Sequence, residues 1–139
     1  MVPATMQTSF DGELPLRNEH DIVLSRQRVR KMTLELGFSL VDQTKMVTAA
    51  SELARNAVIY GGGGTLKWTV LNDGSKRGLR LSFEDQGPGI ADLDLALTDG
   101  WSSGSGLGLG LTGTRRLVNE FDIQSTVGSG TRVVITRWK

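Results

Sequence analysis

Between Trp101 and Val118 the chain reads WSSGSGLGLGLTGTRRLV, with glycine at 104, 106, 108 and 110. Four alternate glycines free the backbone and remove side-chain packing, so the run builds no ordinary element unless something approaches the main chain closely. A helical period follows at once, over Leu107 to Glu120. A glycine loop feeding straight into a helix offers unpaired backbone N–H groups at the positive end of the helix dipole, which favours phosphate. A mobile linker shares the composition, but the immediate helix with Leu107, Leu109 and Leu111 argues against it. Gly108, Gly110 and Gly113 satisfy GxGxxG, yet no strand precedes them and no acid follows about 20 positions on, as a dinucleotide fingerprint requires. A GK[ST] phosphate loop and the HRD and DFG elements of ordinary protein kinases are also missing.

The 139 residues suggest one domain, 1–139, with a real core and no room for a multidomain enzyme. No apolar run is long enough to cross a bilayer. The start, MVPATMQTSF, lacks the basic and apolar regions of an export signal, so a cytoplasmic location is expected. Without cysteine, and with His20 alone, disulfides, thiolate metal sites and histidine clusters are excluded. A formal charge of +1 and 6% aromatic residues fall short of the basic field and stacking surface of a nucleic-acid binder.

Periodicity predicts helices over Glu19 to Leu36, closed by Gly37, and from an Asp42 cap to about Tyr60, ended by Gly61 to Gly64. MQTSFDGELPLR reads as one or two short strands, and TLKWTVLNDGSKRGLRLSFED as a hairpin around Asn-Asp-Gly. QGPGI is a turn, Ala91 to Leu97 a short helix, and FDIQSTV and TRVVITRW two strands around Gly128 to Gly130. The expected fold is α+β: a two-layer sandwich with one mixed, mostly antiparallel sheet and helices on one face.

Two further patterns carry chemistry. In SELARNAV, Glu52 and Asn56 fall together beside an apolar arc of Met46, Val47, Ala50, Leu53, Ala54 and Ala57, where they border a cavity or simply form a solvated flank. In EDQGPGI, Asp85 closes a strand, and its carboxylate, an acceptor only, suits an exocyclic amino group held against a backbone thinned by Gly87 and Gly89. A plain turn accounts for the same glycines and proline.

Taken in order, ExxxN, DxGxG and GxGLGLG resemble the N, G1 and G2 boxes of the GHKL superfamily, over roughly Glu19 to Lys139. The stretches DIVLSRQ, ELGFSLVDQTKMVTAASELARN, DGWSSGSGLGLGLTGTRRLVNEF and GSGT look like the RsbT-like switch kinases of the stressosome, within the anti-sigma factor kinase family. The resemblance implies the Bergerat ATP-binding fold and a kinase that phosphorylates a serine of a STAS-domain antagonist and, once released, activates a PP2C-type phosphatase. A stressosome scaffold is a further implied partner; nucleic acid and membrane are not. It implies Glu52 as the base, Asn56 as the Mg2+ ligand, Asp85 with Gly87 and Gly89 at adenine, and Thr131 supporting that site. Gly104, Ser105, Gly106, Leu107, Gly108, Leu109 and Gly110 map onto the phosphate loop and lid hinge. The short lid between Gly89 and Gly104 implies slow turnover and dependence on the protein substrate. The other reading is an anti-sigma factor or a nucleotide-gated module that sequesters a partner. Histidine kinase domains need a phosphoacceptor domain, and topoisomerase or chaperone ATPases a transducer, for which the length leaves no room. Arg55, Arg115 and Arg116 are candidate phosphate or partner contacts or simply solvated side chains, and Arg26 and Arg30 lie on a flank that docks a partner or simply covers the sheet.

Overall fold

The computed structural model describes residues 10–91 and 107–139. Its elements run β1 (Gly12–Leu16), α1 (Glu19–Glu35), α2 (Leu40–Ile59), β2 (Gly64–Asn72), β3 (Arg77–Asp85), α3 (Leu107–Arg116), β4 (Glu120–Thr126) and β5 (Gly130–Trp138). The expected helix over 91–97 falls almost wholly outside the described residues, as do Gly104, Ser105 and Gly106.

Asn18 caps α1 by accepting the Asp21 N–H at 3.0 Å. The Asp21 carboxylate in turn accepts from the Arg17 Nε at 2.9 Å and the Arg17 backbone N–H at 2.8 Å. These two bonds, the side-chain one foremost, hold the Asp21 carboxyl below its usual range. α1 ends where expected, with Gly37 at φ +83°. The cap of α2 differs from the sequence reading: Ser39, not Asp42, accepts from the Asp42 N–H at 3.1 Å. Only Leu36 to Ser39 separate the helices, and with Phe38 buried the chain re-enters helix directly after Ser39, so Asp42 falls in the first turn. There its carboxylate receives the Arg137 guanidinium at 2.6 Å.

The sheet order is β1-β2-β3-β5-β4. A mixed, mostly antiparallel sheet was expected, and every ladder among the described residues is antiparallel. The reason is topological: β3 and β4 run parallel, but β5 inserts between them and is antiparallel to both. Strand alternation sends the rows Leu66–Phe83–Val133–Ile123 and Trp68–Leu81–Ile135–Phe121 to one face. These pack with Met46, Val47, Ala50, Leu53 and Ala54 of α2 and Val29 and Met32 of α1 in one core. The opposite face carries ion pairs instead, Lys67–Glu84 at 3.6 Å and Arg80–Glu120 at 3.4 Å. Helices thus cover one face, giving the expected two-layer α+β sandwich. Among the described residues no helix is long and apolar enough to cross a membrane.

Candidate functional site

Where α2 ends above the last residues of β3 and the first of β5, the core is left open as a cavity of about 220 Å³. Its apolar lining, Leu53, Ala57, Phe83, Leu111 and Val133, is buried core surface. Asn56, Asp85 and Thr131 supply the polar groups, and Tyr60, Gly61 and Pro88–Ile90 complete the wall. A few polar groups converging on an apolar hollow is the usual make-up of a small-ligand site.

Asp85 pairs with Thr131 across the β3–β5 ladder. Its Oδ1 accepts the Gly87 N–H at 2.9 Å and the Thr131 N–H at 3.3 Å, which fixes the carboxylate from the protein side. Asp85 packs so closely on Gly61 that a Cβ there would lie 2.7 Å from Oδ2 and 2.5 Å from Cγ. A Cβ on Gly87 would in turn lie 2.7 Å from the Gly61 Cα. Two glycines facing each other therefore let the end of α2 and the turn after β3 meet around one acid. Gly89, at φ +77°, turns the chain into the cavity wall. The neighbouring Pro88 carbonyl is held by the Gly128 N–H of the β4–β5 turn at 2.9 Å.

Asn56 sits in the last turn of α2, and its Nδ2 is buried without a hydrogen-bond partner among the described residues. An unsatisfied buried amide costs about 1–3 kcal/mol. A carboxamide carries a donor end and an acceptor end, so it can turn either one to a ligand. The unpaired Nδ2 is a donor and fits an acceptor oxygen entering from the cavity, whereas a cation would be met by the Oδ1 end of the same amide.

The structure therefore brings together Asn56, Asp85, Gly87, Gly89 and Thr131 from the sequence-derived set. Gly108 and Gly110 lie in the first turns of α3, whose Leu111 reaches the cavity. Glu52 stands one turn before Asn56 on α2, exposed and outside the cavity lining. Gly61 and Tyr60 escaped the sequence reading, which took the run Gly61–Gly64 only as a helix stop. The signal was there: one glycine ends a helix, and Tyr60 lies four residues beyond Asn56 on the same helical flank. Ser125, hydrogen-bonded to Thr131, had no sequence signal, because only the strand register brings it there.

Residues 41–139 match the family described as histidine kinase-, DNA gyrase B-, and HSP90-like ATPase. Over 123 residues, 88% of this chain and 92% of the relative, the sequence is 45% identical to the serine/threonine-protein kinase RsbT of Bacillus subtilis (strain 168). It is 28% identical over 120 residues to the anti-sigma F factor of Clostridium novyi (strain NT), covering 81% of this chain and 82% of that one. The fold is similar to the crystal structure of the RsbU and RsbW domains of a Mycobacterium tuberculosis protein, with a TM-score of 0.63 at 22% identity. That match spans 92% of this chain and 33% of the other. The mycobacterial sensor histidine kinase MprB shares the fold at a TM-score of 0.55 and 20% identity, over 91% of this chain and 96% of that one.

Proposed function

Because the chain belongs to the histidine kinase-, DNA gyrase B- and HSP90-like ATPases, and among them to the RsbT-like serine/threonine kinases of partner-switching systems, we propose that it acts as one ATP-binding unit over 1–139, transferring phosphate to a STAS-domain antagonist in the cytoplasm. The observation that carries this reading is the convergence of Asn56, Asp85 and Thr131 on one apolar cavity, with Asp85 fixed by backbone donors and Asn56 left unpaired.

In this reading the adenine enters the cavity against Leu53, Ala57, Phe83 and Val133. Asp85 accepts its amino hydrogen, and Thr131 supports the same edge. The loop Gly104, Ser105, Gly106 and the turns Leu107, Gly108, Leu109, Gly110 grip the phosphates with main-chain N–H groups. Turned so that Oδ1 faces the phosphates, the Asn56 carboxamide would hold a magnesium ion, a metal that accepts a single protein ligand beside phosphates and waters. The metal, held there, would supply neutralisation of charge on the phosphate oxygens. Glu52, exposed where a protein substrate can reach it, takes the proton of the acceptor serine. The serine oxygen bonds to the γ-phosphorus, the bond to the β–γ bridging oxygen breaks, and ADP leaves. The phosphoserine adds about two negative charges to the antagonist, which loosens its hold. The released kinase then activates a PP2C-type phosphatase, within a stressosome scaffold.

The test is transfer of radiolabel from ATP, with magnesium, to a serine of a purified STAS partner. No labelled serine, together with no uptake of adenine nucleotide by the wild type, overturns the proposal. The likeness to an anti-sigma F factor favours a second reading, sequestration of a sigma subunit. A pull-down separates the two: STAS protein and phosphatase in the first case, a sigma subunit in the second.

A further inference from the structure

One row of residues crosses three strands at the cavity. Ser125 on β4 pairs with Thr131 on β5, and Thr131 with Asp85 on β3. The Ser125 hydroxyl is the knot of this row. It accepts the Ile90 N–H at 2.7 Å, lies 2.8 Å from the Thr131 Oγ1, and reaches the Gly130 carbonyl at 3.2 Å. Ile90 and Thr131 both line the cavity, but Ser125 does not.

A hydroxyl has one hydrogen and two acceptor positions. The Ile90 N–H fills one acceptor position on Ser125. If the Ser125 hydrogen goes to the Gly130 carbonyl, the Thr131 hydrogen must fill the second position, and Thr131 then faces the cavity as an acceptor. If the Ser125 hydrogen turns to Thr131 instead, the Thr131 hydrogen is released and Thr131 faces the cavity as a donor. The two states differ only in the rotation of two hydrogens, with every heavy atom in place. Ser125 also ties the chain after Gly89 to the sheet, so the wall that closes the cavity and the hydroxyl that reads its contents share one anchor.

We propose that Ser125 is a positioning residue for base recognition: it orients the Thr131 hydroxyl and pins the Gly89–Ile90 wall beside Asp85 without touching the ligand. This rests on the ATP-binding reading of the cavity. Asp85 demands an amino donor on the base, whereas inosine places a carbonyl at that position. The pair ATP and ITP therefore reports the geometry of the row and not merely the tightness of the pocket.

The experiment is calorimetric titration of MgATP and MgITP into the wild type, S125A, S125T, T131V and the S125A/T131V double variant, with thermal melts of each. S125A is expected to weaken ATP about tenfold and ITP less than threefold. S125T, which keeps the hydroxyl, stays within about threefold of wild type for ATP, and the double variant loses less than the sum of the two single losses, since the Ser125–Thr131 part is lost only once. Equal ATP affinity in S125A and wild type overturns the inference. So do equal losses for ATP and ITP, a loss that S125T fails to rescue, or effects of Ser125 and Thr131 that simply add. If the wild type takes up neither nucleotide, the ATP-binding reading itself falls, and this inference with it; wild-type binding with an unchanged S125A removes the Ser125 role alone.

Discussion

Gly61 and Gly62 are adjacent residues in which one added methyl group should have opposite consequences. At Gly61 the new Cβ would lie 2.5 Å from the Asp85 Cγ, 2.6 Å from its Cβ and 2.7 Å from Oδ2. Ordinary carbon contacts begin near 3.5 Å, so the carboxylate must move by about 1 Å. That displacement strains the hydrogen bonds that Oδ1 accepts from Gly87 at 2.9 Å and Thr131 at 3.3 Å. A hydrogen bond to a charged group contributes about 1.5–3 kcal/mol. Losing one while misplacing the acceptor for the base should cost about 2–3 kcal/mol of nucleotide binding, about 30- to 150-fold in Kd. Gly62 has φ +73° and nothing within 4 Å of its added Cβ. Gly62→Ala should therefore lose about 1 kcal/mol of stability from the left-handed backbone and leave ATP affinity within twofold. Calorimetric titration of both variants with MgATP, on protein shown by melting curves to be folded, reads the difference. A Gly61→Ala protein that binds ATP within threefold of wild type would refute the reasoning, as would a Gly62→Ala protein that binds more weakly than it does.

Further outcomes follow from the same geometry. Asp85→Asn keeps an acceptor facing the Gly87 and Thr131 donors and turns an amino group toward the cavity, so ATP should weaken about 30-fold or more while ITP gains, read by titration of both. Glu52 lies outside the cavity lining, so Glu52→Gln should bind ATP within twofold of wild type yet slow serine phosphorylation by about 100-fold or more in the radiolabel assay. Asp21 and Asp73 both have depressed carboxyl pKa values, Asp21 through the Arg17 side chain and Asp73 through the Lys76 and Ser75 backbone N–H groups. A depressed folded pKa contributes stability that is fully present above the unfolded value of about 3.9 and is lost as pH falls through the folded one, so urea melts between pH 5 and pH 2 should show less acid loss in Asp21→Asn than in wild type.

The parts of this molecule governed by local period were legible in the sequence. The arc Met46, Val47, Ala50, Leu53, Ala54 and Ala57 is buried throughout, because a single helix facing a sheet leaves its apolar residues no other place. Gly37 ends α1 where a left-handed residue was expected. What local pattern left undecided depended on competition or on distance along the chain. Ser39 and Asp42 are both good caps, and the short connection from Gly37 decided between them. The antiparallel character of every described ladder follows from β5 inserting between β3 and β4, which no local pattern encodes. At the site, Asn56 and Asp85 were readable from their motifs, whereas Gly61 against Asp85 and Ser125 against Thr131 are contacts between segments distant in sequence. Register alone joins them.

The same register explains why the cavity sits where it does. α2 presents small residues, Ala49, Ala50, Ala54 and Ala57, to its neighbours, which lets it lie close over the sheet until Gly61 meets Asp85. Beyond that contact the helix stops, but β3 and β5 still offer Phe83 and Val133, so part of this buried apolar surface faces a cavity and not a packed side chain of the described residues. A planar base is the right shape to cover it, and the polar groups at its margin are already set by the backbone. The Asn56 Nδ2, unpaired among the described residues at a cost of about 1–3 kcal/mol, is a further deficit at the cavity. Ligand binding would thus complete both the packing and the hydrogen bonding that folding leaves unfinished. By mass action, a nucleotide at 100 times its Kd should then add about 2.7 kcal/mol to the stability of the folded chain. Its affinity and its fold depend on the same few contacts between α2, the turn after β3 and the start of β5.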